Sequence, residues 1–112
     1  MQIDYANHTI KKQCTSIKTA KREFPEKVAF KLLKLVNFIE AAENLKSVEN
    51  NRLYRFHDLK GDRNGTYALD IDGRRSPYRL LVEFKDVSKA DVFANATKIT
   101  IIGLKEVSKH YE

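Results

Sequence analysis

A chain of 112 residues has room for one ordinary hydrophobic core, which excludes a two-domain architecture and makes residues 1–112 a single domain. With 21 Lys and Arg against 15 Asp and Glu, its formal charge is +6, a balance that suits a polyanionic partner such as nucleic acid and equally a plain solvated basic surface. Cys14 is the only cysteine, which excludes an intrachain disulfide and fits a reducing compartment; no apolar run reaches the ~18 residues of a bilayer span and no secretory h-region opens the chain, so a cytoplasmic protein with no membrane partner is expected.

Residues 2–5 alternate polar and apolar side chains, as a short first strand would. Asn7 offers a cap for a helix over 8–14, with Ile10 and Cys14 on one side, and Thr15 or Ser16 caps a second helix over 17–24. Pro25 and Glu26 suit the first turn of the clearest helix, expected to run to about residue 45. Val28, Leu32, Leu35, Val36, Ile39 and Ala42 recur at the helical period and form its apolar stripe. From Leu53 the period shortens towards two, with Tyr54 and Phe56 alternating with Arg55 and His57 as in a half-buried strand. Asn64-Gly65 and Asp72-Gly73 mark tight turns around a strand over 67–71, and a further strand is expected over 78–84 behind Pro77. The stretch 86–96 reads as a polar loop, 98–102 as the last clear strand, and 106–112 as its extension or a tail. Helices followed by a strand meander imply an α+β layer, with N-terminal helices packed on one face of a mostly antiparallel sheet and the other face left for a site.

The chemistry concentrates in Phe56-His57-Asp58-Leu59-Lys60-Gly61-Asp62-Arg63-Asn64-Gly65. An imidazole near cations is what acid–base work on a phosphodiester requires, the ring moving a proton and Lys60, Arg63 and Arg79 stabilising extra charge on phosphorus. The same residues would serve a site that merely grips phosphate, or surface ion pairs with Asp58 or Asp62. His110 and Tyr111 close the chain, where an imidazole can be a second proton-transfer group and a phenol ring can stack on a base. His8, His57 and His110 lack metal-ligand spacing, Gly61 and Gly65 lack the Gly-Lys-Ser/Thr of a phosphate loop, and Cys14 has no partner marking it as a nucleophile. Neither metal nor cofactor is expected. Lys11, Lys12, Lys18, Lys21 and Arg22 form a basic run on the early helices.

Arg55-Phe56-His57-Asp58-Leu59-Lys60-Gly61-Asp62-Arg63, then Tyr67-Ala68-Leu69-Asp70-Ile71, Tyr78-Arg79-Leu80, Ile101-Ile102 and His110-Tyr111 together resemble HigB-type toxins of the RelE/ParE superfamily of bacterial toxin–antitoxin systems. The resemblance covers most of the chain. It implies a RelE-like fold with a helix pair, a long helix and a four- to five-stranded sheet. It implies a small basic endoribonuclease that cuts messenger RNA on the ribosome without a metal, by attack of the 2′-hydroxyl on its own phosphate. Carried over by position, His57, Lys60, Arg63 and Arg79 match residues of the active site or substrate grip, and His110 and Tyr111 match the C-terminal site. Many relatives close on an acidic residue, Tyr and His, whereas this chain closes on Lys109-His110-Tyr111-Glu112, which leaves open whether His110 or Tyr111 faces RNA. The implied partners are a cognate helix-turn-helix antitoxin, the ribosome with its mRNA and, through the antitoxin, operator DNA. The alternatives on the same fold are a gyrase poison of the ParE kind and a non-catalytic regulator in a DNA-bound complex.

Overall fold

A computed structural model describes residues 1–60 and 65–109. Strand β1 (Gln2–Tyr5) leads into helices α1 (His8–Thr15), α2 (Ile17–Glu23), α3 (Glu26–Ala41) and α4 (Leu45–Asn50); strands β2 (His57–Asp58), β3 (Tyr67–Asp70) and β4 (Tyr78–Glu83) follow, then α5 (Lys89–Ala94), a 3₁₀ turn (Ala96–Lys98) and β5 (Ile101–Lys109). The caps read from the sequence are in place: the Asn7 side chain accepts from the Ile10 amide and that of Ser16 from the Thr19 amide. α3 stops four residues short of the expected end because Ala42 turns extended, and Asn44 caps α4 afresh. The apolar period had run on through that break because Leu45 and Val48 enter the same core as the α3 stripe. The Met1 ammonium donates to the carbonyls of Ile39, Glu40 and Ala42, placing a positive charge on the carbonyl end of α3.

The described strands form one mixed sheet in the order β1-β5-β4-β3-β2. β1 runs parallel to β5, with Gln2 opposite Ile101, and the other three pairings are antiparallel. Ile10 and Cys14 of α1 and Val28, Leu32, Leu35, Val36 and Ile39 of α3 pack with Tyr67, Leu69, Leu80, Val82, Ile102 and Leu104 in one core. Alternation along β3 and β4 puts these sheet residues on one face, so helices cover that face and the architecture is α+β. Burial in this layer pushes the Cys14 thiol up to about 12, so its thiolate is not available for chemistry near neutral pH.

Three expectations are corrected. The stretch 86–96 is not a loop. Ser88 caps α5 by accepting from the Asp91 amide, Val92 is buried, and the Phe93 ring meets Phe56 at 5.8 Å and Tyr67 at 6.0 Å. A helix of six residues with one buried position leaves no stripe in the sequence. The strand expected from Tyr54 is only His57–Asp58, because Arg55 adopts a left-handed backbone with φ 43°. The last strand starts at Ile101 rather than 98, the preceding residues closing a 3₁₀ turn, and it continues to Lys109, so that what reads as an extension or a tail is strand as far as the described residues go.

α5 is tied to β2 by Lys89, whose Nζ lies 2.8 Å from Asp58 Oδ2. That hydrogen bond is the main reason the Asp58 carboxyl is held below its ordinary value of 3.8. A depressed carboxyl contributes stability that is present above the ordinary pKa and lost as pH falls through the folded one. The pair is solvated, so its contribution to the whole fold is modest. In a carboxyl NMR titration Asp58 should therefore show a midpoint below 3.8 in the native chain, returning towards it in Lys89→Ala; equal midpoints in the two proteins would break the assignment.

Candidate active site

His57 lies between Phe56, stacked at 5.5 Å on the core residue Tyr67, and Asp58, held by α5. Alternation turns its imidazole to the other face of the sheet. Register then builds the surroundings. His57 is opposite Ala68, Ala68 opposite Leu81 and Leu81 opposite Glu106, a row across four strands. In the next row Asp70 is opposite Arg79 and Arg79 opposite Ser108. A β-bulge between Leu81 and Val82 leaves Lys105 as an extra residue on β5, and its Nζ reaches across β4 to donate to Thr66 Oγ1 at 3.0 Å.

The imidazole has a defined orientation. His57 Nδ1 is 2.6 Å from the Arg55 carbonyl oxygen, which has no proton to give, so Nδ1 is the donor. In the neutral ring Nε2 then carries the free lone pair. Nε2 is shielded from water and has no hydrogen-bond partner among the described residues.

Arg55 is clasped from the opposite side. Its Nε and Nη2 donate to Asp70 Oδ2 and Oδ1 at 2.9 and 3.1 Å, a bidentate fork, and the Asp70 amide donates to the Tyr54 carbonyl at 2.7 Å. Asp70 is 1% exposed. It also holds Arg79, whose Nε lies 3.0 Å from Oδ1. The Arg79 Nε–H is not aimed at that oxygen, so this contact is an ion pair and Nε has no hydrogen-bond partner among the described residues. The Arg79 Nη1 group donates to the carbonyls of Gly73, Ser76 and Tyr78, and Nη2 to that of Arg74 at 2.8 Å.

The structure therefore brings two of the expected site residues, His57 and Arg79, to one face in adjoining rows. Arg79 is 7% exposed and spends most of its fork on its own 73–78 turn, which makes it a brace for the hairpin. Lys60 is exposed, and the charge it acts on is Asp58, on the side of β2 away from His57. Spacing of i and i+3 along extended chain turns two side chains to opposite faces, so the sequence spacing did not bring Lys60 to the imidazole. Arg63, His110 and Tyr111 lie outside the described residues.

Sequence reasoning passed over Arg55, Asp70 and Lys105. Asp70 and Arg79 flank the Asp72-Gly73 turn at positions a hairpin pairs, a signal that was available. The bulge that redirects Lys105 has no sequence signature. Among the described residues no three His, Cys, Asp or Glu side chains converge as metal ligands would. A cavity of about 670 Å³ opens beside β1 and β5, lined by Asp4, Glu83, Lys98, Ile101 and Gly103 among others and not by His57. His57, whose ring orientation is fixed by the Arg55 carbonyl, is the candidate for proton transfer. No protein-family model matches the chain, and no curated protein matches it.

Proposed function

We propose that this chain is a HigB-like toxin of the RelE/ParE superfamily with a RelE-like fold, acting in the cytoplasm as a metal-independent endoribonuclease on ribosome-bound messenger RNA. The observation that carries the reading is His57: an imidazole fixed through Nδ1, whose Nε2 carries the lone pair in the neutral ring and has no partner among the described residues, on the sheet face opposite the core-facing Tyr67 and Leu69. In the proposed step Nε2 takes the 2′-hydroxyl proton, the 2′-oxygen bonds to phosphorus, and the bond from phosphorus to the 5′-oxygen breaks. The leaving oxygen takes a proton from a second group, for which His110 and Tyr111 are the sequence candidates. The products are a 2′,3′-cyclic phosphate and a 5′-hydroxyl. Lys105, reaching across β4, is a cation that can follow the charge developing on phosphorus. Lys60 and Arg63 remain candidates for gripping the RNA backbone. The proposed partners are a helix-turn-helix antitoxin, operator DNA through that antitoxin, and the ribosome.

Arg79 favours a second reading, a non-catalytic protein of the same fold that poisons gyrase or serves as a regulator, because one of the cations expected to hold phosphate is engaged within the chain. Purified protein incubated with programmed ribosomes separates the two. Cleavage of the mRNA within the decoding site, leaving 5′-hydroxyl ends, is the expected result. Intact mRNA together with stalled gyrase on DNA would overturn the ribonuclease reading in favour of the second.

A further inference from the structure

We infer that Arg55 and Asp70 are positioning residues for His57, acting as a relay from a buried carboxylate through an arginine backbone to the imidazole; as a catalytic device this rests on the ribonuclease reading. Arg55 stands in the left-handed region at φ 43°, a conformation that is strained for a non-glycine residue. That backbone turn is what aims the Arg55 carbonyl at His57 Nδ1, 2.6 Å away. The bidentate bonds from the Arg55 side chain to Asp70, and the bond from the Asp70 amide to the Tyr54 carbonyl, hold the turn from both sides. Asp70 is itself fixed by its place in β3 and by the Arg79 ion pair. The chain of contacts therefore has one mechanical output. It selects the ring tautomer with the proton on Nδ1 and the lone pair on Nε2, the atom with no partner among the described residues. Without the clamp, Arg55 would relax towards ordinary backbone, its carbonyl would swing away, and either ring nitrogen could carry the proton.

The test is ¹⁵N NMR of histidine-labelled protein, in which the two ring tautomers have distinct nitrogen shifts, with His8 and His110 assigned by single replacement. The native chain should show His57 as one neutral tautomer protonated on Nδ1. Arg55→Ala, which leaves Asp70 its ion pair with Arg79, should show a mixture of both tautomers. Cleavage on the ribosome should fall by about 10²-fold, the scale of a small misplacement of a reacting group, and its pH profile should shift. Arg55→Gly, which adopts a positive φ without strain, should recover most of the Nδ1–H population although the guanidinium is gone. A native ring protonated on Nε2, or an Arg55→Ala ring that keeps the native tautomer, would overturn the relay. Equal scrambling in the Ala and Gly variants would also overturn it, because the guanidinium charge and not the carbonyl direction would then be at work. Native protein that shows the Nδ1–H tautomer but leaves RNA uncut would instead count against the ribonuclease reading and leave the relay standing.

Discussion

His57→Ala should lower ribosome-dependent cleavage by about 10²–10⁴-fold, the usual scale for losing a positioned acid or base. Its thermal unfolding should stay close to that of the native chain. The ring makes a single hydrogen bond, to the Arg55 carbonyl, and its Nε2 makes none among the described residues. Removing it costs on the order of 1 kcal/mol for that bond, and it removes a shielded nitrogen that was itself unsatisfied. The neighbours that order the sheet here, Phe56 stacked on Tyr67 and Ala68 in register, are untouched. Single-turnover cleavage measured beside a thermal melt decides the matter. A folded variant with native activity would remove His57 from the chemistry and leave the resemblance to HigB-type toxins as one of fold.

Asp70→Ala should have the opposite profile, a large loss of stability. Its carboxylate, 1% exposed, is shared by Arg55 and Arg79, and Arg79 is buried as well. Removing one partner of a buried ion pair leaves the other charge uncompensated, which typically costs about 3–5 kcal/mol. Asp70→Asn keeps an acceptor and should cost less. Replacing Asp70 and Arg79 together by apolar residues should recover much of the loss, since a buried pair exchanged for well-packed side chains is often near neutral. Urea denaturation of the four proteins gives the comparison. A loss below about 1 kcal/mol in Asp70→Ala would mean that water reaches the two guanidinium groups and that the clamp is not a structural element.

Much of the helical layer was written locally. Asn7, Ser16 and the α3 stripe each act within a turn or two, and local chemistry is what a sequence displays. The break at Ala42 was hidden because α3 and α4 feed one core. α5 was hidden because its evidence is tertiary: Phe93 on Phe56 and Lys89 on Asp58 join residues more than thirty positions apart. The parallel pairing of β1 with β5 is of the same kind, since nothing near Gln2 names Ile101 as its partner. At the candidate site, alternation correctly turned His57 away from the core. The hinge at Arg55 and the bulge at Lys105, which decide what the imidazole meets, are departures from regular strand geometry that period-two patterning cannot register.

The order of the strands bears on when the protein acquires its shape. β5 lies between β1 and β4, yet it is the last strand along the described chain. During synthesis β1 emerges first and waits without a neighbour, while β4 presents a bare edge, until residues 101–109 arrive to join them. Glu106 and Ser108, which complete the two rows beginning at His57 and Asp70, come with the same segment. A nascent chain stopped short of it would lack the strand that joins β1 to β4 and could complete neither row. For a protein proposed to attack translating ribosomes, this topology acts as a delay: neither row can form until residues 101–109 have been made.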